Sequence, residues 1–318
     1  MLHISIETLG MLMIGSVSFS KSTWVRFMLR QNLGDISIDR IVESENADID
    51  PTFFFPETSA EDWEPHKSWL KPLAMHSETD MLILPIQSWL VRTRHHTILV
   101  DTCVGDDKKR ERHHWHMKTG ATFLARLAEA GVQPEDVDFV MCTHLHADHV
   151  GWNTRLIDGR WVPTFPNAKY VISKNEWTFW EAEHEQTPME HFADSVLPVV
   201  AADRAVMVER DHALDDEIWF EPTPGHTPHH MSVRLASNGN NAVMTGDVMH
   251  SPAQCAEPTW AVRPDYDRDL ARQTRRAFLE RYCESGTLVC ATHFASPSMG
   301  EITRHGDAFR FKYLTEES

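Results

Sequence analysis

The chain has 318 residues, 42% of them hydrophobic, enough to bury a sizeable core as one large domain or two small ones. Lys and Arg number 30 against 47 Asp and Glu, a formal charge of -17 with no basic run standing out, so the surface repels nucleic acid and anionic membranes. Five cysteines without a CxxC pair argue against a disulfide framework and for a reducing, cytoplasmic setting, and no apolar run reaches the length of a membrane span.

Residues 9–20, LGMLMIGSVSFS, are apolar but lack the basic start of an export signal. They are read as part of an N-terminal arm, residues 1–34, that packs across a partner in a homodimer. Residues 35–318 then form a single domain. DISIDRIV (35–42) alternates apolar and polar residues as a half-buried strand does, and residues 79–102 read as two further strands ending at Asp101. Residues 50–72 are aromatic and punctuated by prolines, which suits a covering loop or lid. At 118–131 a helix is expected, because Phe123, Leu124, Leu127 and Ala128 share a face and Gly131 can end it. A buried strand follows at 137–143. KYVIS, AVMVE, EIWFEP, MSVRLA and NAVMTGD add strands between 169 and 247. A helix at 267–286 and a strand at 287–293 complete the pattern. Strands with interspersed helices favour an α/β sandwich.

The chemistry concentrates in CTHLHADHVGW, residues 142–152. His144, His146, Asp148 and His149 are all ligand types for zinc-like ions. His144 and His146 can face one ion while Asp148 and His149, further round the turn, face a second. One ion needs only three or four ligands, so the surplus suggests two. Three more donors each follow an apolar strand and a tight turn: His226 in TPGHTPHH, Asp247 in MTGDVMH and His293 in VCATHFAS. A lone histidine among 20 is more often an ordinary core or surface residue. Four such groups in six positions are not, because burying that much polarity without a metal is costly. His113, His114 and His116 have no apolar strand behind them and read as a polar segment.

With HxHxDH complete and the later His, Asp and His in order, the chain resembles the metallo-β-lactamase fold hydrolases from about residue 35 to 313. The resemblance implies an αββα sandwich of two mixed sheets flanked by helices, with the metal site at the sheet edge. It implies two divalent ions, zinc in the first instance. His144, His146 and His226 would hold one, Asp148, His149 and His293 the other, and Asp247 would bridge them. Asp101, in DTCVG, would orient a ligand histidine. Cys103 stands where the family usually has glycine and reads as a small core residue. A bridging hydroxide would be the nucleophile, with Asp148 at the catalytic centre.

Within the family, the chain is most similar to the acyl-homoserine lactonase and methyl parathion hydrolase-like branch, through DTCVGDD, HADHVGWNT, FPNAKYVISKNEW and GDVMHSPAQ. Lactonases of that branch usually carry Tyr three residues after the bridging Asp; here it is His250. His250 is therefore expected to bind the substrate oxygen and to protonate the leaving group. Trp152 and other aromatics imply an apolar pocket for a small hydrophobic ester, lactone or phosphotriester. The alternative is a mononuclear iron persulfide dioxygenase or a glyoxalase II-like thioesterase.

Overall fold

The computed structural model describes residues 30–315; the arm's apolar stretch, and the dimer contact expected of it, lie outside the described residues. Residues 30–33, ascribed to the arm, form strand β1 (Arg30–Leu33), which turns at Gly34 and pairs antiparallel with β2 (Ile36–Ile49). The chain then runs through α1 (Pro51–Phe54), α2 (Ala60–Leu70), β3 (Leu82–Arg92), β4 (Thr97–Val100), α3 (Thr122–Glu129) and β5 (Phe139–Met141). A small hairpin of β6 (Thr154–Ile157) and β7 (Arg160–Pro163) precedes β8 (Lys169–Ser173), α4 (Lys174–Gln186), α5 (Glu190–Ser195), α6 (Leu197–Ala201) and β9 (Ala205–Val208). The second half holds β10 (Ile218–Pro222), β11 (Met231–Ser237), β12 (Asn240–Met244), α7 (Ala253–Ala256), α8 (Arg268–Tyr282), β13 (Leu288–Cys290), β14 (Met299–His305) and β15 (Ala308–Tyr313).

Two mixed sheets result, ordered β1-β2-β3-β4-β5-β8-β9 and β10-β11-β12-β13-β14-β15. The pairs β4/β5, β5/β8, β8/β9 and β12/β13 are parallel and the rest antiparallel. Strand alternation explains the layering. Ile98, Val100, Met141 and Val171 point inward and meet Ile218, Val233, Met244 and Cys290 of the other sheet. Leu99, Val140, Tyr170 and Ile172 point outward onto Phe123 and Leu127 of α3, Phe192 of α5 and Val199 of α6. Val243 and Val289 point outward from the second sheet onto Phe278, Leu279 and Tyr282 of α8. Strands covered on both faces must be apolar at every position, which is why ILV and FVM read as unbroken runs. This is the expected αββα sandwich.

Residues 50–72 depart from the expected loop. They form α1, capped by Asp50, and α2, where the Asp62 carboxylate takes the Ser59 N–H at 2.8 Å. Pro65 lies inside α2; burial of Trp63 and Leu70, with Trp63 against Phe55 and Trp260, outweighs its lost hydrogen bond. The β14–β15 hairpin and α4 add to the elements read from sequence.

The loops after β4 and β5 are locked together by backbone. Thr102 N donates to His149 O (2.7 Å), Gly151 N to Cys103 O and Trp152 N to Thr102 O (both 2.8 Å). A Cβ on Gly151 would lie 1.9 Å from Val104 O, an atom that cannot move without undoing this contact. Gly151→Ala is expected to lose about 3 kcal/mol of stability or more, read from the midpoint of denaturant unfolding.

Candidate metal centre

The carboxyl ends of the parallel pairs β4/β5 and β12/β13 open onto one rim, and the loops leaving them carry most of the expected donors. After β5, residues 144–149 turn back over the strand ends. After β12, a tight turn through Gly246 (φ 52°) presents Asp247. A Cβ on Gly246 would meet the His230 ring at 2.4 Å. That closeness lets His230 Nε2 accept the Asp247 N–H at 2.8 Å and aim the carboxylate.

All seven residues expected as ligands converge, and Asp247 divides them. His226 Nε2 lies 3.1 Å from Asp247 Oδ2 and His144 Nε2 3.7 Å. His146 Nδ1 lies 3.1 Å from His144 Nε2 and 3.0 Å from His226 Nε2. On the other side, His149 Nε2 and His293 Nε2 are each 3.1 Å from Asp247 Oδ1 and 3.9 Å from Asp148 Oδ2. Two compact donor sets therefore meet at Asp247, and His250 forms a further grouping with Asp247 and His293.

Most of the histidines have their outer nitrogen committed. Nδ1 of His149 faces Asp101 Oδ2 (2.9 Å), that of His226 faces Asp265 Oδ1 (2.9 Å), and that of His293 faces the Pro85 carbonyl (2.9 Å). His144 Nδ1 meets the Thr143 hydroxyl at 3.0 Å, whose proton goes to Asp101 Oδ2. With Nδ1–H donating outward, each Nε2 presents a lone pair inward. Asp247 Oδ1 is buried with no hydrogen-bond donor among the described residues, despite two imidazole nitrogens at 3.1 Å. Lone pairs facing a carboxylate oxygen need cations between them, so the cluster fits a dinuclear divalent metal site.

The titration behaviour agrees. Burial opposes charge on His226, but Asp247 and Asp265 outweigh it and lift the imidazole to about 9. Burial likewise opposes charge on His149, yet Asp247, Asp101 and Asp148 raise it well above its ordinary value. Burial, aided by neighbouring imidazoles, drives His144 and His146 far down. Burial disfavours the Asp247 carboxylate, but His149, His293 and His226 hold it well below the usual range.

Asp101 lies against the ring of His149, Oδ2 2.9 Å from Nδ1. It adopts φ 60°, a strained left-handed conformation, and also accepts Thr143 N at 2.8 Å. Cys103 is buried at φ 55°, a conformation that suits glycine, and burial with the charge of Glu43 pushes its thiol up, away from the reactive thiolate. His250 is buried with Nε2 3.1 Å from Asp247 Oδ2 and its ring stacked on His293. Burial draws its pKa down to about 4, which favours a neutral imidazole whose one N–H faces Asp247.

Trp152 is a correction. It does not line the cleft: its indole stacks on Phe123 in the core and its N–H donates to the buried Glu43 at 2.7 Å. A ring with one polar edge satisfies both surfaces by facing inward. The cleft above the cluster, about 650 Å³, is walled by Phe54, Leu84, Trp115, His116 and Met189. Its wall also carries Lys109, Arg110, Glu111 and Arg112, which corrects the expectation that no basic run stands out: KKRER, residues 108–112, is a short one. Asp265, Glu176 and Arg275 carry no motif and were not legible. Buried Glu176 accepts Leu145 N (3.3 Å) from the HLH loop and Thr227 Oγ1 (2.9 Å) beside His226. Arg275 joins Val248 O (2.9 Å) to Asp265 (3.4 Å).

Residues 83–281 match the metallo-beta-lactamase superfamily, and the chain belongs to it. Among curated proteins it is similar to N-acyl homoserine lactonases of Bacillus sp and Bacillus cereus, each 24% identical over 176 residues. That alignment takes in 52% of this chain and 64% of theirs, so the chain spans less than two thirds of the length of these relatives. Among solved structures it resembles the hydrolase AbOPH (TM-score 0.77, 24% identity, 92% of this chain and 99% of that one). It also resembles AidC, described as a dizinc quorum-quenching lactonase (TM-score 0.74, 21% identity, 91% and 97%). At these identities the structural likeness establishes the fold.

Ions entering the cluster must displace protons held on His149 and His226. At pH 7 metal uptake is expected to release protons, and affinity to fall as pH drops. Calorimetry in buffers of different ionisation heat checks this; a heat independent of buffer contradicts it. Asp265→Asn is expected to weaken metal binding about 10–100-fold, measured by competition with a chelator.

Proposed function

We propose that the chain is a dinuclear metal-dependent hydrolase of small hydrophobic lactones and esters, with phosphotriesters as related substrates. The observation that carries this reading is Asp247, whose two oxygens face two separate donor sets on the floor of a single cleft. His144, His146 and His226 would hold one ion and Asp148, His149 and His293 the other. Such ions, zinc for a set of imidazoles and carboxylates, activate a water at neutral pH and polarise the scissile bond.

The chain's own groups do the rest. Asp101 and Asp265 fix the tautomers of His149 and His226, so the donor set is ready before substrate arrives. Phe54, Leu84, Trp115 and Met189 give apolar surface to a hydrophobic substituent and exclude water from it. His250 lies beside the bridging carboxylate, with Nε2 3.1 Å from Asp247 Oδ2, and steadies it on the cleft floor. The lactonase names among the relatives favour lactones as the first substrates to test.

Two ions per chain are expected after mild dialysis. Activity on a panel of acyl lactones, aryl esters, thioesters and phosphotriesters should vanish with chelator and return with Zn2+. One iron per chain, with oxidation of a persulfide and no hydrolysis, would falsify the proposal. His250→Ala is expected to lower kcat/KM about 10²-fold, by a similar factor for good and poor leaving groups. A deficit that grows steadily with leaving-group pKa would instead mark His250 as a proton donor.

A further inference from the structure

Two of the segments that line the cleft are remote in sequence, and buried ion pairs on Asp194 join them. Residues 107–118 leave the core as a loop with a closed neck: Asp107 N donates to Lys118 O at 2.8 Å and Met117 N to Lys108 O at 2.7 Å. The body of this loop, including Trp115 and His116, forms the first wall. It is internally ordered, with the Arg112 guanidinium over the Trp115 ring at 4.6 Å. The second wall comes from Pro188, Met189 and His191, at the start of α5. Asp194, one turn further along α5, takes a two-pronged contact from Arg110: Nη1 to Oδ2 at 2.7 Å and Nη2 to Oδ1 at 2.9 Å. Arg110 Nη2 also donates to Ser195 Oγ at 3.2 Å. Both side chains are buried, at 3% and 6% exposure, so solvent does not screen the pair.

We propose that the Arg110–Asp194 pair is a positioning device that holds the two walls at a fixed separation and thereby sets the size of substituent the cleft admits. This rests on the hydrolase reading above. Neither residue is catalytic; the pair acts through the walls it ties. A planar fork on a carboxylate constrains direction as well as distance, which a single-point contact does not. A second cation makes the test practicable. Lys108 Nζ lies 3.5 Å from Asp194 Oδ1 and 2.8 Å from Thr154 Oγ1; burial, with Arg110 beside it, lowers its pKa to about 7, so removing Arg110 lets Lys108 hold its proton against the Asp194 charge. Removing Asp194 leaves two buried cations facing each other and is the harsher change.

The experiment uses the full, metal-loaded chain with Arg110→Gln and Arg110→Lys, on lactones and aryl esters of graded acyl length. Arg110→Gln is expected to keep wild-type metal content and kcat. KM for the shortest acyl groups should rise about tenfold while that for the longest changes little, so that selectivity shifts toward bulk. Arg110→Lys, with the charge but not the fork, should fall between. Hydrogen exchange should show faster exchange across 109–116 in Arg110→Gln. Unchanged size selectivity with unchanged exchange overturns the proposal, and so does loss of metal with an equal loss of kcat on every substrate. If the wild type hydrolyses nothing on the panel, the hydrolase reading fails, while the exchange measurement still decides whether the pair holds the loop.

Discussion

The carboxylate of Asp247 is the constraint on which the site depends. It is buried, and five imidazole nitrogens, those of His144, His149, His226, His250 and His293, surround its two oxygens within 3.7 Å. An unpaired carboxylate there would be expensive, and so would the imidazoles if left facing one another without cations or protons. The protein answers with a second layer of acceptors, Asp101, Asp265 and the Pro85 carbonyl, which take the outward N–H groups. Inward lone pairs follow from that layer, and affinity for divalent cations follows from the lone pairs.

The fold exists to bring those loops to one place. Parallel strands in each sheet send their carboxyl ends to the same rim, and strands buried on both faces leave no room for a register slip. Small residues then allow close approach: Gly151 against Val104 and Gly246 against His230. Buried charges tie the loops to their neighbours. Glu43 accepts Val104 N, Gly105 N and the Trp152 indole, while Arg275 holds both the segment after Asp247 and the partner of His226. A buried charge with several hydrogen bonds is a stiff hub, because every bond lost leaves desolvated polarity behind.

Above the rim, the cleft departs from the character of the chain. The molecule carries -17 overall, yet three cations of residues 109–112 stand along one wall. Arg110 spends its charge inside the protein on Asp194, so the wall is less basic than its sequence and better fixed. The floor is polar and the flanks are partly aromatic, and Arg110 and Asp194, 84 residues apart, join two of the segments that line it.

The sequence alone determined the donor types and their local grouping. His144, His146, Asp148 and His149 are neighbours in the chain, so a single turn must bring them together wherever it sits. Runs such as ILV and FVM likewise declared strands covered on both faces, and the αββα layering followed with the family resemblance. Residues 50–72 read wrongly because Pro65 weighs against a helix locally, while the burial of Trp63 and Leu70 that outweighs it is tertiary. Trp152 read wrongly because a turn has no fixed side-chain period, so nothing local said which way the indole faces. Asp265, Glu176 and Asp194 stayed hidden for a related reason. Each is an ordinary acidic residue whose meaning lies in a partner 39, 31 or 84 positions away. Periodicity and motif report only neighbours along the chain; which distant groups share a desolvated pocket is decided by packing, and only the folded structure carries that information.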